Sequence, residues 1–272
     1  MKILHIGNLK SGIDTYVRNT VALASNDFEF VIVSGADDMG EPYMRHGKSL
    51  KRYTIDMYRK LNPWKDMKAV AQAVRIIHKE KPDLVHCHSA KGGVIGRFAA
   101  FLTGRKCVYT AHAFSFLSAE SAKKQWVFLM LEKVSKLNSV LLGCSDSERK
   151  LGIEKVGYSE SKALAWPNAI PRIKTEDIQE PTRDVSNEKY IISIGRPSYQ
   201  KNPLLMVEIM RRVHERMPNV KFYLVGVGYY SPMLEETQAL IGQHGLYLME
   251  IVHILPLSRV NKHKVKFLIL LI

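Results

Sequence analysis

The sequence predicts an α/β protein of two successive domains, each a parallel sheet covered by helices. Three observations predict it. Over residues 1–170, short apolar runs of strand length alternate with longer stretches of helical periodicity. A polar, charged stretch over 171–188, poor in large apolar residues, then breaks the pattern and reads as a linker. From residue 189 to the end, 272, the alternation resumes and stops early, so the second domain is expected to be incomplete. Alternating strands and helices imply parallel strands, because each strand needs a crossover to re-enter the sheet in the same direction.

In the first domain Lys2–Ile6, Phe28–Ser34, Leu84–His88, Cys107–Ala111 and Ser139–Gly143 read as strands, with a weaker one over Tyr53–Met57. Trp64–Glu80 reads as a helix, since Met67, Val70, Val74 and Ile77 recur at spacings of three and four. In the second domain Tyr190–Ile194, Val220–Val225 and Ile251–Leu255 read as strands, and Pro203–Arg216 and Pro232–His244 as helices. The last stretch, Leu257–Ile272, is basic and then apolar, and fits no element of this pattern.

The chain of 272 residues is 46% apolar, enough to pack one large or two ordinary domains, and nothing in its bulk composition suggests disorder. Lys and Arg number 40 against 26 Asp and Glu, so the formal charge is 40 − 26 = +14. That balance points to an anionic partner: nucleic acid, an anionic membrane surface or a phosphorylated substrate. The three cysteines, Cys87, Cys107 and Cys144, end apolar runs without metal-type spacing and read as buried small hydrophobes in a reducing compartment. The N-terminus lacks a signal region and no apolar run reaches membrane-spanning length. The expected location is the cytoplasm, with peripheral contact at the inner face of the cell membrane.

Residues able to carry chemistry cluster where strands end, which is where open parallel sheets bind ligands. Gly7 closes the first strand, and Gly12 opens a helix whose N–H groups can receive a phosphate or simply make a turn. A dinucleotide fingerprint needs three glycines at set spacing, and Gly7 with Gly12 does not supply it. His86-Cys87-His88-Ser89-Ala90-Lys91-Gly92-Gly93 carries two histidines at i and i+2 with no third metal ligand evident, and then a cation and a glycine pair suited to an anion- or acceptor-facing loop. His112, in Thr110-Ala111-His112-Ala113-Phe114, is structural or hydrogen-bonds a sugar hydroxyl. Ser145 and Glu148 form a capping box, and Asn168 lies at the domain junction. In the second domain Arg196 and Lys201 flank a short loop before a helix and suit a diphosphate, unless they are merely solvated.

In this order, the segments HCHSAKGG, TAHAF, GCSDSE, PNAI, GRPSYQKNP and LVGVG resemble the retaining glycosyltransferases of family 4, over roughly residues 1–256. The wording VHCHSAKGGVIGRFAA is most similar to bacterial enzymes that extend lipid-linked surface polysaccharide. The resemblance implies the GT-B fold of two Rossmann-like domains, with acceptor on the first and nucleotide-sugar on the second. It implies that His112 meets the transferred sugar, that Arg196, Lys201 and Gly12 serve the donor diphosphate, and that His88, Ser89, Lys91, Gly92 and Asn168 line the acceptor side. It also implies retention of configuration with no cofactor and no metal. Ala169 and Ala113 stand where the family usually has glycine, and after Glu250 there is no acidic residue to form the family's glutamate pair. A frameshifted or early end after Leu257 is therefore expected, with transfer activity in doubt. The alternatives are a non-catalytic binding remnant of the family, or a basic Rossmann-like nucleic-acid binder; no nucleic-acid partner is expected.

Arg45, Lys48, Lys51, Arg52, Arg59, Lys60 and Lys65, with Tyr53, Met57, Tyr58, Leu61 and Trp64 between them, read as a nucleic-acid-binding surface, a membrane-facing surface or a plain solvated face, and the resemblance favours the membrane.

Overall fold

The computed structural model describes residues 1–10, 12–38, 40–58, 62–119, 121–172, 189–227, 231–246 and 252–256. The chain divides into two units, Met1–Pro171 and Arg172–Ile272. Most of the 171–188 linker, the tail from Leu257, Gly228 of the second glycine loop, Glu250, and Arg59, Lys60 and Leu61 of the basic stretch lie outside the described residues.

The first unit runs β1 (Lys2–Gly7), α1 (Gly12–Leu23), β2 (Glu29–Gly35), β3 (Met44–Arg45), β4 (Lys48–Ser49), β5 (Lys51–Ile55), α2 (Pro63–Glu80), β6 (Leu84–His88), α3 (Ser89–Leu102), β7 (Lys106–Thr110), α4 (Ala122–Ser135), β8 (Val140–Gly143), α5 (Asp146–Leu151) and β9 (Ala163–Ala165). Its main sheet has the order β5-β2-β1-β6-β7-β8-β9, and every pairing in it is parallel. The expected strands of this unit form, within one or two residues of their predicted bounds.

Three features differ from expectation. The weak strand sits at Lys51–Ile55, because the chain turns where the Asp56 amide donates to Gln72 Oε1, and Met57 is then buried. β9 is three residues long, too short to leave a periodic signal. The β3–β4 hairpin turns at His46 and Gly47, both at positive φ, as a primed two-residue turn requires.

α2 starts at Asn62, whose side chain accepts from the Lys65 amide, with Pro63 in the first turn, where no N–H is needed. One face of the sheet, with Leu4, Ile6, Val85, Cys87, Tyr109 and Leu141, packs under α2, α3 and α4. The other, with Phe30 and Ile32, packs under Tyr16, Val17 and Val21 of α1. α3 lies flat on the sheet only because its inner face is glycine. A β-carbon at Gly92 would sit 2.5 Å from the Gly7 α-carbon, at Gly93 2.3 Å from the Tyr109 ring, and at Gly96 2.5 Å from Cys87 Sγ. Gly92, expected to line the acceptor side, is thus a packing residue.

Behind those glycines a charged pair is sealed into the core. Arg97 Nη2 donates to Glu132 Oε2 at 2.9 Å, Nε to the Gly93 carbonyl at 2.8 Å and Nη1 to the Tyr158 hydroxyl at 3.2 Å. Tyr109 donates to the other Glu132 oxygen at 2.8 Å, and its ring lies 3.9 Å beneath the guanidinium.

The second unit runs β10 (Lys189–Ile194), α6 (Pro203–Arg216), β11 (Val220–Val227), α7 (Leu234–Gln243) and β12 (Val252–Pro256). Its strands pair in parallel in the order β10-β11-β12, over a core of Val207, Met210, Phe222, Ile241 and Leu246.

Glu132→Ala leaves a buried guanidinium unpaired and should cost about 3–5 kcal/mol, whereas Arg97→Met with Glu132→Leu should cost less than that single change. Urea denaturation of the three proteins measures both.

Candidate functional site

The carboxyl ends of the parallel strands of the first unit bring Gly7, His88, Thr110 and Gly143 to one edge of the sheet. Beyond β7 the chain passes through His112 and Ala113, both at positive φ (53° and 75°). Non-glycine residues hold that conformation only when neighbours enforce it. The enforcer is Glu148, in the first turn of α5. Its Oε1 accepts from the Ala113 amide at 2.7 Å and its Oε2 from the Cys144 amide at 2.6 Å, while its own amide donates to Ser145 Oγ at 3.2 Å. Ser145 caps α5 as expected, but the Glu148 carboxylate takes the Cys144 amide where a capping box would take that of Ser145, and its other oxygen clamps the loop that carries His112.

His112 heads a file of imidazoles. Its Nε2 lies 3.2 Å from His88 Nδ1, and His88 Nε2 lies 2.8 Å from His5 Nδ1. On its outer side, His112 Nδ1 lies 3.7 Å from Cys144 Sγ. His86 stands beside the file, with Nε2 2.9 Å from Thr110 Oγ1, and Tyr16 of α1 sets its ring edge-on, 4.8 Å from His112. His5, absent from the sequence-level candidates, joins because β1 pairs with β6 in the register His5↔His86. His5, His86 and His88 place one ligand atom each within 4.8 Å of one another, so the third imidazole not evident in the sequence exists. Both nitrogens of His88 already face imidazoles.

Burial keeps the file neutral. It pushes His5 down to about 3 and His112 down to about 4. His86 and His88 are held well below the ordinary value, first by burial and then by neighbouring imidazoles. Burial, with Glu148 behind it, pushes the Cys144 thiol up to about 12, so it is no thiolate nucleophile.

The remaining candidates divide. Gly12 is exposed at the start of α1, and a β-carbon there would meet nothing within 4 Å. Ser89 opens α3 at φ 57°. Asn168 is exposed, beside Ala169, whose carbonyl accepts from Asn19 of α1 at 3.2 Å. His88 is fully buried, so it reaches a ligand only through His112. Lys91 is no solvent-facing cation: its Nζ pairs with Asp66 at 2.6 Å and ties α3 to α2.

In the second unit, a cavity of about 200 Å³ opens at the strand ends, lined by Gly195, Arg196, Lys201, Gly226 and Thr237 among others. Gly226 has φ 133°, and a β-carbon there would lie 2.7 Å from the Gly195 carbonyl, so the end of β11 touches the turn after β10 backbone to backbone. Lys201 lays its stem over Gly195. Asn202, left-handed at φ 43°, caps α6 by accepting from the Leu205 amide.

The basic stretch is partly consumed within its own unit. Arg45 donates to the carbonyls of Val21, Ala24 and Ser25 at the end of α1. Arg52 pairs with Asp38 and Lys51 with Glu80. Trp64 and Met67 on α2 stay exposed at 81% and 64%, next to Lys65. Among the described residues no helix is long and apolar enough to cross a membrane.

Two predictions follow from the loop and the file. Glu148→Ala leaves two amides without an acceptor and should cost about 1–3 kcal/mol per amide, read by urea denaturation. The unfolded chain takes up protons on these histidines near 6.5 while the folded chain stays neutral to about 4. The unfolded state therefore binds more protons in that window, and stability should fall as pH drops through it, by up to about 1.4 kcal/mol per pH unit for each histidine. Denaturation curves between those pH values test this, and His5→Phe should flatten the slope.

The sequence model of Glycosyltransferase Family 4 matches residues 10–172. The chain is 31% identical over 175 residues to a UDP-Gal:alpha-D-GlcNAc-diphosphoundecaprenol alpha-1,3-galactosyltransferase of Escherichia coli, covering 60% of this chain and 45% of that one. It is 24% identical over 243 residues to the capsular polysaccharide biosynthesis glycosyltransferase CapM of Staphylococcus aureus, covering 80% and 62% respectively. The chain thus spans about half the length of the curated relatives it matches. Its fold matches that of HepE from Anabaena, solved with UDP and glucose, at a TM-score of 0.67 and 17% identity over 93% of this chain and 68% of that one. With the family match extending over more than half of its residues, the chain belongs to glycosyltransferase family 4.

Proposed function

We propose that this chain takes part in moving a sugar from a nucleotide-sugar donor to a lipid-linked saccharide acceptor in surface polysaccharide synthesis. The observation that carries this reading is the cavity of the second unit, where Arg196 and Lys201 stand at strand ends walled by Gly195 and Gly226. Glycine walls let a diphosphate approach the backbone closely. The guanidinium fork and the ammonium then neutralise the charge that grows on it as the sugar leaves, work that a metal ion does elsewhere. Transfer proceeds with retention. The bond from the anomeric carbon to the diphosphate oxygen breaks, the acceptor oxygen bonds to that carbon on the same face, and the acceptor proton passes to the departing phosphate. Support for the donor and acceptor classes comes from the Escherichia coli relative, whose name specifies UDP-Gal and a diphosphoundecaprenol-linked sugar.

The first unit supplies the acceptor side, with Ser89 and Asn168 at accessible positions, while His112 is kept for the transferred sugar and Gly12 for the donor diphosphate. Such an acceptor lives in a membrane, and the exposed Trp64 and Met67 beside Lys65 suit a peripheral contact with anionic lipid at the inner face of the cell membrane. With Arg45 and Arg52 engaged by their own unit, the basic patch offers less to a nucleic-acid backbone.

UDP titrated into the chain, followed by calorimetry, should give a saturable signal. Arg196→Ala or Lys201→Ala should each weaken it by about tenfold or more, as expected for a lost charge-assisted hydrogen bond. A wild-type chain that ignores UDP would leave only a non-catalytic binding module of the family.

A further inference from the structure

We propose that His5 and His88 are positioning residues that lock His112 in its Nδ1–H tautomer, so that His112 offers an oxygen ligand a hydrogen-bond donor rather than a lone pair. The contacts form a single file: His5 Nδ1 to His88 Nε2 at 2.8 Å, then His88 Nδ1 to His112 Nε2 at 3.2 Å. A neutral imidazole carries one N–H and one bare nitrogen, so each contact needs a donor on one side and an acceptor on the other. Only two proton arrangements satisfy both contacts. With the N–H groups pointing outward, His5 donates to His88, His88 donates to His112, and His112 keeps its proton on Nδ1. With them pointing inward, His112 Nδ1 is bare and the last proton sits on His5 Nε2.

The two arrangements differ at the buried end. His5 Nε2 is enclosed and meets no hydrogen-bond partner among the described residues. An enclosed N–H without an acceptor is rarer and costlier than an enclosed bare acceptor. The outward arrangement leaves Nε2 bare, and it is favoured by about tenfold or more on the usual cost of an unmade hydrogen bond. At the outer end, the one contact of His112 Nδ1 among the described residues is Cys144 Sγ at 3.7 Å. A thiol gives or takes only a weak hydrogen bond, so it does not offset the cost at the buried end in either arrangement, and a sugar hydroxyl or a phosphate oxygen can displace it. His86 stays outside the file because its Nε2 is held by Thr110 Oγ1. The use of this donor on a sugar rests on the sugar-transfer reading, whereas the tautomer itself does not.

The test is nitrogen-15 NMR of the ligand-free chain, with labelled histidine rings, at pH 7. His112 should show a protonated Nδ1 and a bare Nε2. His88→Phe and His5→Phe, each checked for an intact fold by thermal melting, should both release His112 to a mixture of tautomers. Should His88→Phe fail to fold, the wild-type spectrum and His5→Phe still decide. A wild-type His112 protonated on Nε2, or a tautomer unchanged in both variants, overturns the proposal. So does a stoichiometric metal ion found by mass spectrometry of the purified protein, since His5, His86 and His88 would then be its ligands. If UDP fails to bind while His112 shows the Nδ1–H signature, the sugar-transfer reading falls and this inference stands.

Discussion

The first unit depends on an ion pair sealed in its core. Arg97 on α3 and Glu132 on α4 are both fully buried, and each is satisfied by further partners in Gly93, Tyr109 and Tyr158. Burial alone would lower the Arg97 pKa, but the surrounding Tyr109, Glu132 and Tyr158 groups outweigh it and the guanidinium stays charged. Such a pair adds little net stability over apolar packing, yet it tolerates few arrangements, because any shift of α3 against α4 strands a charge in a medium of low dielectric. α3 is thereby held in one register, and its first turn follows directly from His88. The geometry of the imidazole file therefore rests on an interaction on the opposite face of the sheet.

The loops above the sheet are governed by local hydrogen bonding. Glu148 serves α5 and the His112 loop with one carboxylate, which makes the positive φ of Ala113 sustainable without glycine. In the second unit the same task falls to glycine itself, since Gly226 and Gly195 meet at a distance that no side chain permits. One unit fixes its loop by an acceptor and the other by the absence of a β-carbon.

The alternation of strands and helices was legible in the sequence because periodicity is local: a strand such as Leu84–His88 announces itself within five residues. What escaped was whatever depends on register between distant strands. His5 is one apolar-strand residue among several until β1 pairs with β6 and brings it to His86 and His88. Lys91 looked like a free cation because Asp66, its partner, is on another helix. The Ser145–Glu148 cap could be read from spacing, whereas its reach to Ala113 could not. Gly92 read as loop chemistry, and only the 2.5 Å approach to Gly7 reveals it as packing. The cations Arg45 and Arg52 looked like a surface patch and turned out to bind backbone carbonyls of their own unit.

The glycine face of α3 also limits how this protein can diverge. Gly92, Gly93 and Gly96 each meet the sheet at contact distances that forbid even alanine, while outward positions of the same helix such as Phe101 and Leu102 are half exposed. Sequence drift on α3 is thus confined to one side. A lineage can change that outer surface freely, but it can replace the inner one only by lifting the whole helix off the sheet. The spacing of those three glycines should for that reason outlast any resemblance in the surrounding residues, and it offers a marker for remote members of this architecture.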